Sequence, residues 1–265
     1  MYSILEKLFT NSEQASEQII NQYQKNFAIV NFIYFAVIVA QKLFSTRRKT
    51  EIQKNYKKIL LKSDFLFPDG ITLQIFYYLA RLFYRVKPIY WLSNLNTDFV
   101  LYFLEYIKTK FGNQKICLLM FGTYPHILEK AKEHISYKYN VIYTQDFSNF
   151  NNKKFTELNR QKVKESLSYH DTINILLVAM STPKTPRQEL WTADNLQEIK
   201  DHNLIVINTL FDRWAVQKRA PKIVRDIKLE RLWRLILDPK RNYKKVIYTL
   251  SCFKYVFKYL LLKKD

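Results

Sequence analysis

Glycine is nearly missing from this chain. At the average usage of about 7% a protein of this length holds roughly 19, yet only Gly70, Gly112 and Gly122 occur. Cysteine is almost as scarce: Cys117 and Cys252 sit in apolar runs without metal-ligand spacing. That argues against a disulfide framework and reads as core or interface thiols in a reducing compartment. The four histidines, His126, His134, His170 and His202, are scattered, which argues against a protein-bound zinc site. Long apolar runs are absent too. The longest, 27–40, is interrupted by Asn31 and falls short of the roughly 20 residues that span a bilayer, so it reads as a buried strand running into a helix. The first residues, MYSILEKLF, have no basic region followed by an apolar one, unlike a secretory signal. No GxxxxGK[ST] loop, GxSxG elbow or HExxH helix occurs, and the enzyme classes built on them lose support.

Acidic residues are outnumbered, 23 against 43 Lys and Arg, for a net charge of +20. Nucleic acid, anionic lipid or a phosphorylated substrate would each complement such a surface. Charge alone does not choose among them. Apolar residues make up 48%, enough for a full core. Short β-rich runs at 27–30, 64–67, 88–91, 115–121, 140–143, 173–179 and 204–208 alternate with helix-period segments at 71–84, 97–110, 125–135, 154–167 and 188–199. This alternation predicts an α/β fold, a Rossmann-like, mostly parallel sheet flanked by helices. Ligands of such sheets bind beyond the carboxyl ends of the strands. We divide the chain into a core over 1–212 and a basic helical appendage over 213–265, which holds 16 Lys and Arg against 4 Asp and Glu. In its last part Val246, Ile247, Leu250, Phe253, Val256, Phe257, Leu260 and Leu261 fall at helical spacing among lysines. That is the pattern of a helix lying in a membrane interface, although an ordinary packed helix or a subunit contact has the same periodicity.

Three clusters carry candidate chemistry. Gly70 and Gly122 follow predicted strands, where glycine permits a positive φ or close approach of a ligand. Asp69 sits at a strand end in a Pro-Asp-Gly turn; it suits a general base, and equally a turn aspartate with a purely local role. After the strand at 173–179, TPKTPRQELW fixes a loop and starts a helix, which suits a phosphate or a simple cap. Finally, arginines interleave with tryptophans from Asp212 to Arg241, a composition fit for a diphosphate, for RNA or for a solvated helix face.

Taken in order, these segments resemble the WecG/TagA/CpsF family of bacterial glycosyltransferases over most of the chain. The resemblance rests on FPDG, on FGTYPHILEKA, on LLVAMS followed by PRQELW, and on Phe211-Asp212, Arg219-Ala220-Pro221, LERLWRL and DPKR. Asn31 and the NTDF segment at 96–99 also fall where the family carries an Asn and a GxD segment. The resemblance implies an inverting transfer of an N-acetylmannosamine-like or other hexose from a UDP-sugar. The implied acceptor is an undecaprenyl-diphosphate-linked sugar, in surface-polysaccharide synthesis, with no bound metal and no cofactor beyond the co-substrate. It makes Asp69 the catalytic base. Asn31, Gly70, Asp98, Gly122, Thr123, Gln188, Asp212, Arg219, Arg231 and Arg234 become donor- or acceptor-binding residues. It also implies a cytoplasmic protein, peripheral at the inner membrane face, without a specific nucleic-acid partner; homo-oligomerisation stays open. Departures exist: Ala179-Met180-Ser181 stands for the family's Gly-Leu-Gly, and Asn208-Thr209-Leu210 for the glycine pair before Phe-Asp. They leave open a degenerate, nucleotide-sugar- or lipid-binding scaffold.

Overall fold

The computed structural model describes residues 8, 11–34, 37–38, 41, 43, 50–69, 73, 97–146, 157–167, 172–180, 186–215, 221, 223–224, 230–237, 239, 243 and 247. Among the described residues six strands form one sheet: β1 (Ala28–Tyr34), β2 (Phe65–Asp69), β3 (Ile116–Gly122), β4 (Val141–Gln145), β5 (Ile173–Ala179) and β6 (Ile205–Asn208). Their order is β2-β1-β6-β5-β3-β4 and every pairing is parallel. The α/β class read from the alternation is the class observed. Strands such as ICLLMFG and INILLVA are apolar almost throughout because helices bury both faces of a parallel sheet. Cys117 lies buried in β3, and burial pushes its thiol up to about 12. Cys252 lies outside the described residues.

Helices cover the sheet as α1 (Ser12–Lys25), α2 (Glu51–Lys62), α3 (Thr97–Phe111), α4 (Pro125–Ser136), α5 (Glu157–Ser166), α6 (Arg187–Asp194), α7 (Leu196–Asp201), α8 (Asp212–Ala215) and α9 (Glu230–Leu237). Local chemistry sets their starts. Asn11 caps α1 by accepting from the backbone N–H of Glu13 and Gln14 at 2.9 and 3.0 Å. Thr50 and Gln53 close a reciprocal capping box on α2, satisfying two otherwise unpaired donors. Pro125 occupies the first turn of α4, where its missing N–H costs nothing.

Alternate residues of β3, β5 and β6 feed two cores. On one face Val30, Phe32, Phe67, Leu118, Met120, Leu177 and Ile207 meet α1, α3 and α4, with the rings of Phe67 and Phe99 4.2 Å apart. On the other, Leu119, Phe121, Leu176, Val178 and Val206 meet Val163, Trp191 and Ile199 of α5, α6 and α7. Phe211 and Trp214 belong to the first core, and α8 packs on α4.

The expected strand at 88–91 lies outside the described residues, as does the helix at 71–84 save Leu73. The expected helix at 188–199 is two pieces: Asn195 leaves helical geometry at φ −111°, ψ 22°, and its side-chain amide donates to the Trp191 carbonyl at 2.7 Å. The topology also locates a crevice. After β3 the chain steps outward to β4, whereas after β5 it steps the other way to β6. The next strand thus lies on opposite sides for β3 and for β5, and such a switch point opens a cleft between strand ends.

Candidate active site

Because all six strands run the same way, their carboxyl ends share one edge of the sheet. Asp69, Thr209, Met180 and Thr123 stand at or just beyond that edge. At the crevice, Gly122 pairs in register with Ala179. Its φ is +115°, and a Cβ there would lie 2.1 Å from the Ala179 carbonyl oxygen. Only glycine fits. The next residue, Thr123, is buried and also left-handed, at φ +58°, a conformation that costs a residue with a Cβ about 1–2 kcal/mol. Backbone strain of this kind concentrates at functional sites.

Gln188, in the first turn of α6, faces the same place. It is buried, and its Oε1 accepts from the Met180 N–H at 3.2 Å. Gly122, against Ala179, and Gln188, on the Met180 amide, thus come from distant parts of the sequence to the end of β5. Beside Gln188 lies Glu189, 1% exposed, with neither carboxyl oxygen in a hydrogen bond. Burial pushes its carboxyl up to about 7; its own backbone N–H and the nearby Gln188 amide oppose the rise without reaching hydrogen-bond geometry.

Asp69 ends β2 opposite Tyr34 of β1 and is 8% exposed. Three strand spacings of about 4.8 Å separate β2 from β5, so Asp69 lies roughly 14 Å along the edge from the crevice floor. The two loci share an edge without touching. Only an extended ligand would engage both.

Asn31 is in the middle of β1, fully buried. Its Nδ2 donates to Ser63 Oγ at 2.6 Å, and its Oδ1 accepts from Asn208 Nδ2 at 2.5 Å. Asp98, Asp212, Arg231 and Arg234 are described by backbone alone, in α3, α8 and α9, while Gly70 and Arg219 lie outside the described residues. Sequence reasoning gave no site role to Ser63, Glu189, Thr192 or Asn208. The available signal was a polar residue in an otherwise apolar strand, Asn31 in AIVNFIY and Asn208 closing IVIN. No group of three or more His, Cys, Asp or Glu among the described residues is arranged to hold a metal.

The model of the glycosyl transferase WecG/TagA/CpsF family matches residues 8–265, nearly the whole chain, and the chain belongs to that family.

Proposed function

We propose that the protein is an inverting glycosyltransferase, transferring a hexose such as N-acetylmannosamine from a UDP-sugar to a polyprenyl-diphosphate-linked sugar in surface-polysaccharide synthesis. Family membership supports glycosyl transfer; the donor and acceptor are our reading. The carrying observation is Asp69, a largely buried carboxylate at the edge that also holds the Gly122–Gln188 crevice. Gln188 and the 122–124 loop would hold the donor, and an extended donor–acceptor pair would bridge the distance along the edge. Asp69 then takes the proton of the acceptor hydroxyl. The freed oxygen attacks the anomeric carbon from the face opposite UDP, the bond from that carbon to the β-phosphate oxygen breaks, and UDP leaves with the electron pair. Arg219, Arg231 and Arg234 would offset the charge of the departing or acceptor diphosphate. No metal takes part in this scheme.

Residues 213–265 serve, in this reading, as an appendage that docks on the inner membrane face. Ile223, Ile236, Leu237 and Ile247 are exposed within that basic segment, as a segment seated in an anionic interface needs. No helix among the described residues is long and apolar enough to cross a membrane.

Asp69→Asn tests the base. A positioned base contributes about 10²–10⁴-fold, so transfer should fall by that factor while UDP affinity and thermal unfolding stay unchanged. Unaltered turnover would remove Asp69 as the base. A wild-type protein that transfers from no UDP-sugar would remove the reading.

A further inference from the structure

On the sheet face toward α2 and α6, a line of buried polar side chains is joined by hydrogen bonds. There, Ser63 Oγ donates to the Ile59 carbonyl at 3.0 Å and accepts from Asn31 Nδ2. Asn31 Oδ1 accepts from Asn208 Nδ2. The Thr192 hydroxyl is shared between Asn208 Oδ1 at 3.1 Å and the Gln188 carbonyl at 2.9 Å. Ser63, Asn31, Asn208 and Thr192 are each no more than 2% exposed. The line begins at the C-cap of α2, crosses β1 and β6, and ends in the first turn of α6, whose Gln188 side chain grips the Met180 amide at the end of β5.

Burying two carboxamides in a sheet face is costly unless they are satisfied. In this line each amide oxygen and each amide nitrogen has a partner. A complete buried network fixes distances and directions where apolar contacts allow sliding. Asn31 has 0% exposure and both ends of its amide engaged, so it does not present a group to a ligand as the structure stands. We propose that Asn208 and Thr192 are positioning residues that set α6, and with it Gln188 and the Met180 amide, at the crevice, and that Asn31 is the link between them and α2 instead of a ligand contact. The inference rests on the reading of Gln188 as a donor contact for its functional consequence, though not for its structural one.

Thr192→Val keeps the branched shape and removes the hydroxyl; Thr192→Ser keeps the hydroxyl. Full-length protein would be compared by calorimetric titration with UDP and by hydrogen exchange read by mass spectrometry. Thr192→Val should weaken UDP about tenfold, the equivalent of one lost buried hydrogen bond of ~1.4 kcal/mol. Exchange should quicken in peptides covering 178–192 and stay unchanged in β3 and β4. Thr192→Ser should bind and exchange as wild type does. Asn208→Ala, which strands the Asn31 oxygen, should reproduce the valine pattern and serves if that variant does not fold. An unchanged UDP affinity and exchange in Thr192→Val, or exchange quickened evenly through the sheet, overturns the proposal in favour of a merely structural network. Should wild-type protein not bind UDP, the donor reading fails, and the exchange pattern alone decides whether the network positions α6.

Discussion

At Gly122 the backbone is both left-handed and pressed against the Ala179 carbonyl, so Gly122→Ala incurs a conformational penalty and a clash together. Urea unfolding should show a loss of roughly 3 kcal/mol. Glu189 makes a different prediction. Its carboxyl titrates at 4.5 when unfolded and at about 7 in the fold, so between those values the folded state holds more proton. Stability from this residue is full below pH 4.5, declines as pH rises through 7, and is flat above. Glu189→Gln should flatten that slope, by an amount on the order of 3 kcal/mol between pH 4.5 and 8, in denaturant titrations at several pH values. Gly122 was legible in the sequence because glycine is so rare that one after an apolar run stands out. The Asn31–Asn208 bond was not, since it joins residues 177 positions apart and no local pattern announces its partner. Glu189 reads as an ordinary residue of a helix start; only tertiary packing makes it buried.

Among the elements, the sequence was most readable where the apolar stripe is broad. The spans expected at 97–110 and 125–135 are α3 and α4 within a residue of their ends, and β5 was expected at its observed span. α1 and α2 were not singled out, because SEQASEQIINQYQK and EIQKNYKKILLK carry thin stripes in a largely polar context. Their start signals were nevertheless present, as Asn11 and as the Thr50-x-x-Gln53 box. Asn11→Ala should therefore cost about 1 kcal/mol, seen as a lower urea midpoint with an unchanged slope. β1 outran its expected end by four residues, since pairing with β2 holds it extended as far as Tyr34. Register across a sheet is a property of two strands, and neither sequence contains it alone.

For the whole molecule, charge and exposed apolar side chains coincide: 213–265 carries 16 of the 43 Lys and Arg, and Ile236 and Leu237 are 74% and 58% exposed. The docking reading predicts co-sedimentation with phosphatidylglycerol-containing vesicles and release as salt rises, because each basic residue contributes on the order of 1 kcal/mol near an anionic surface. The double substitution Ile236→Gln and Leu237→Gln should reduce binding at every salt concentration. Equal binding to neutral vesicles would count against the electrostatic part. The order of strands has one more consequence, for biosynthesis. β6 fills the middle of the sheet, yet it is the last of the six to be translated. Until residues 205–208 emerge, β2-β1 and β5-β3-β4 are separate half-sheets, each turning an unpaired edge toward the gap. Open edges of that kind recruit other chains, and slow, non-local closure prolongs the hazard. Nascent chains stalled before Ile205 should accumulate in the pellet, whereas those released past Asn208 should stay in solution.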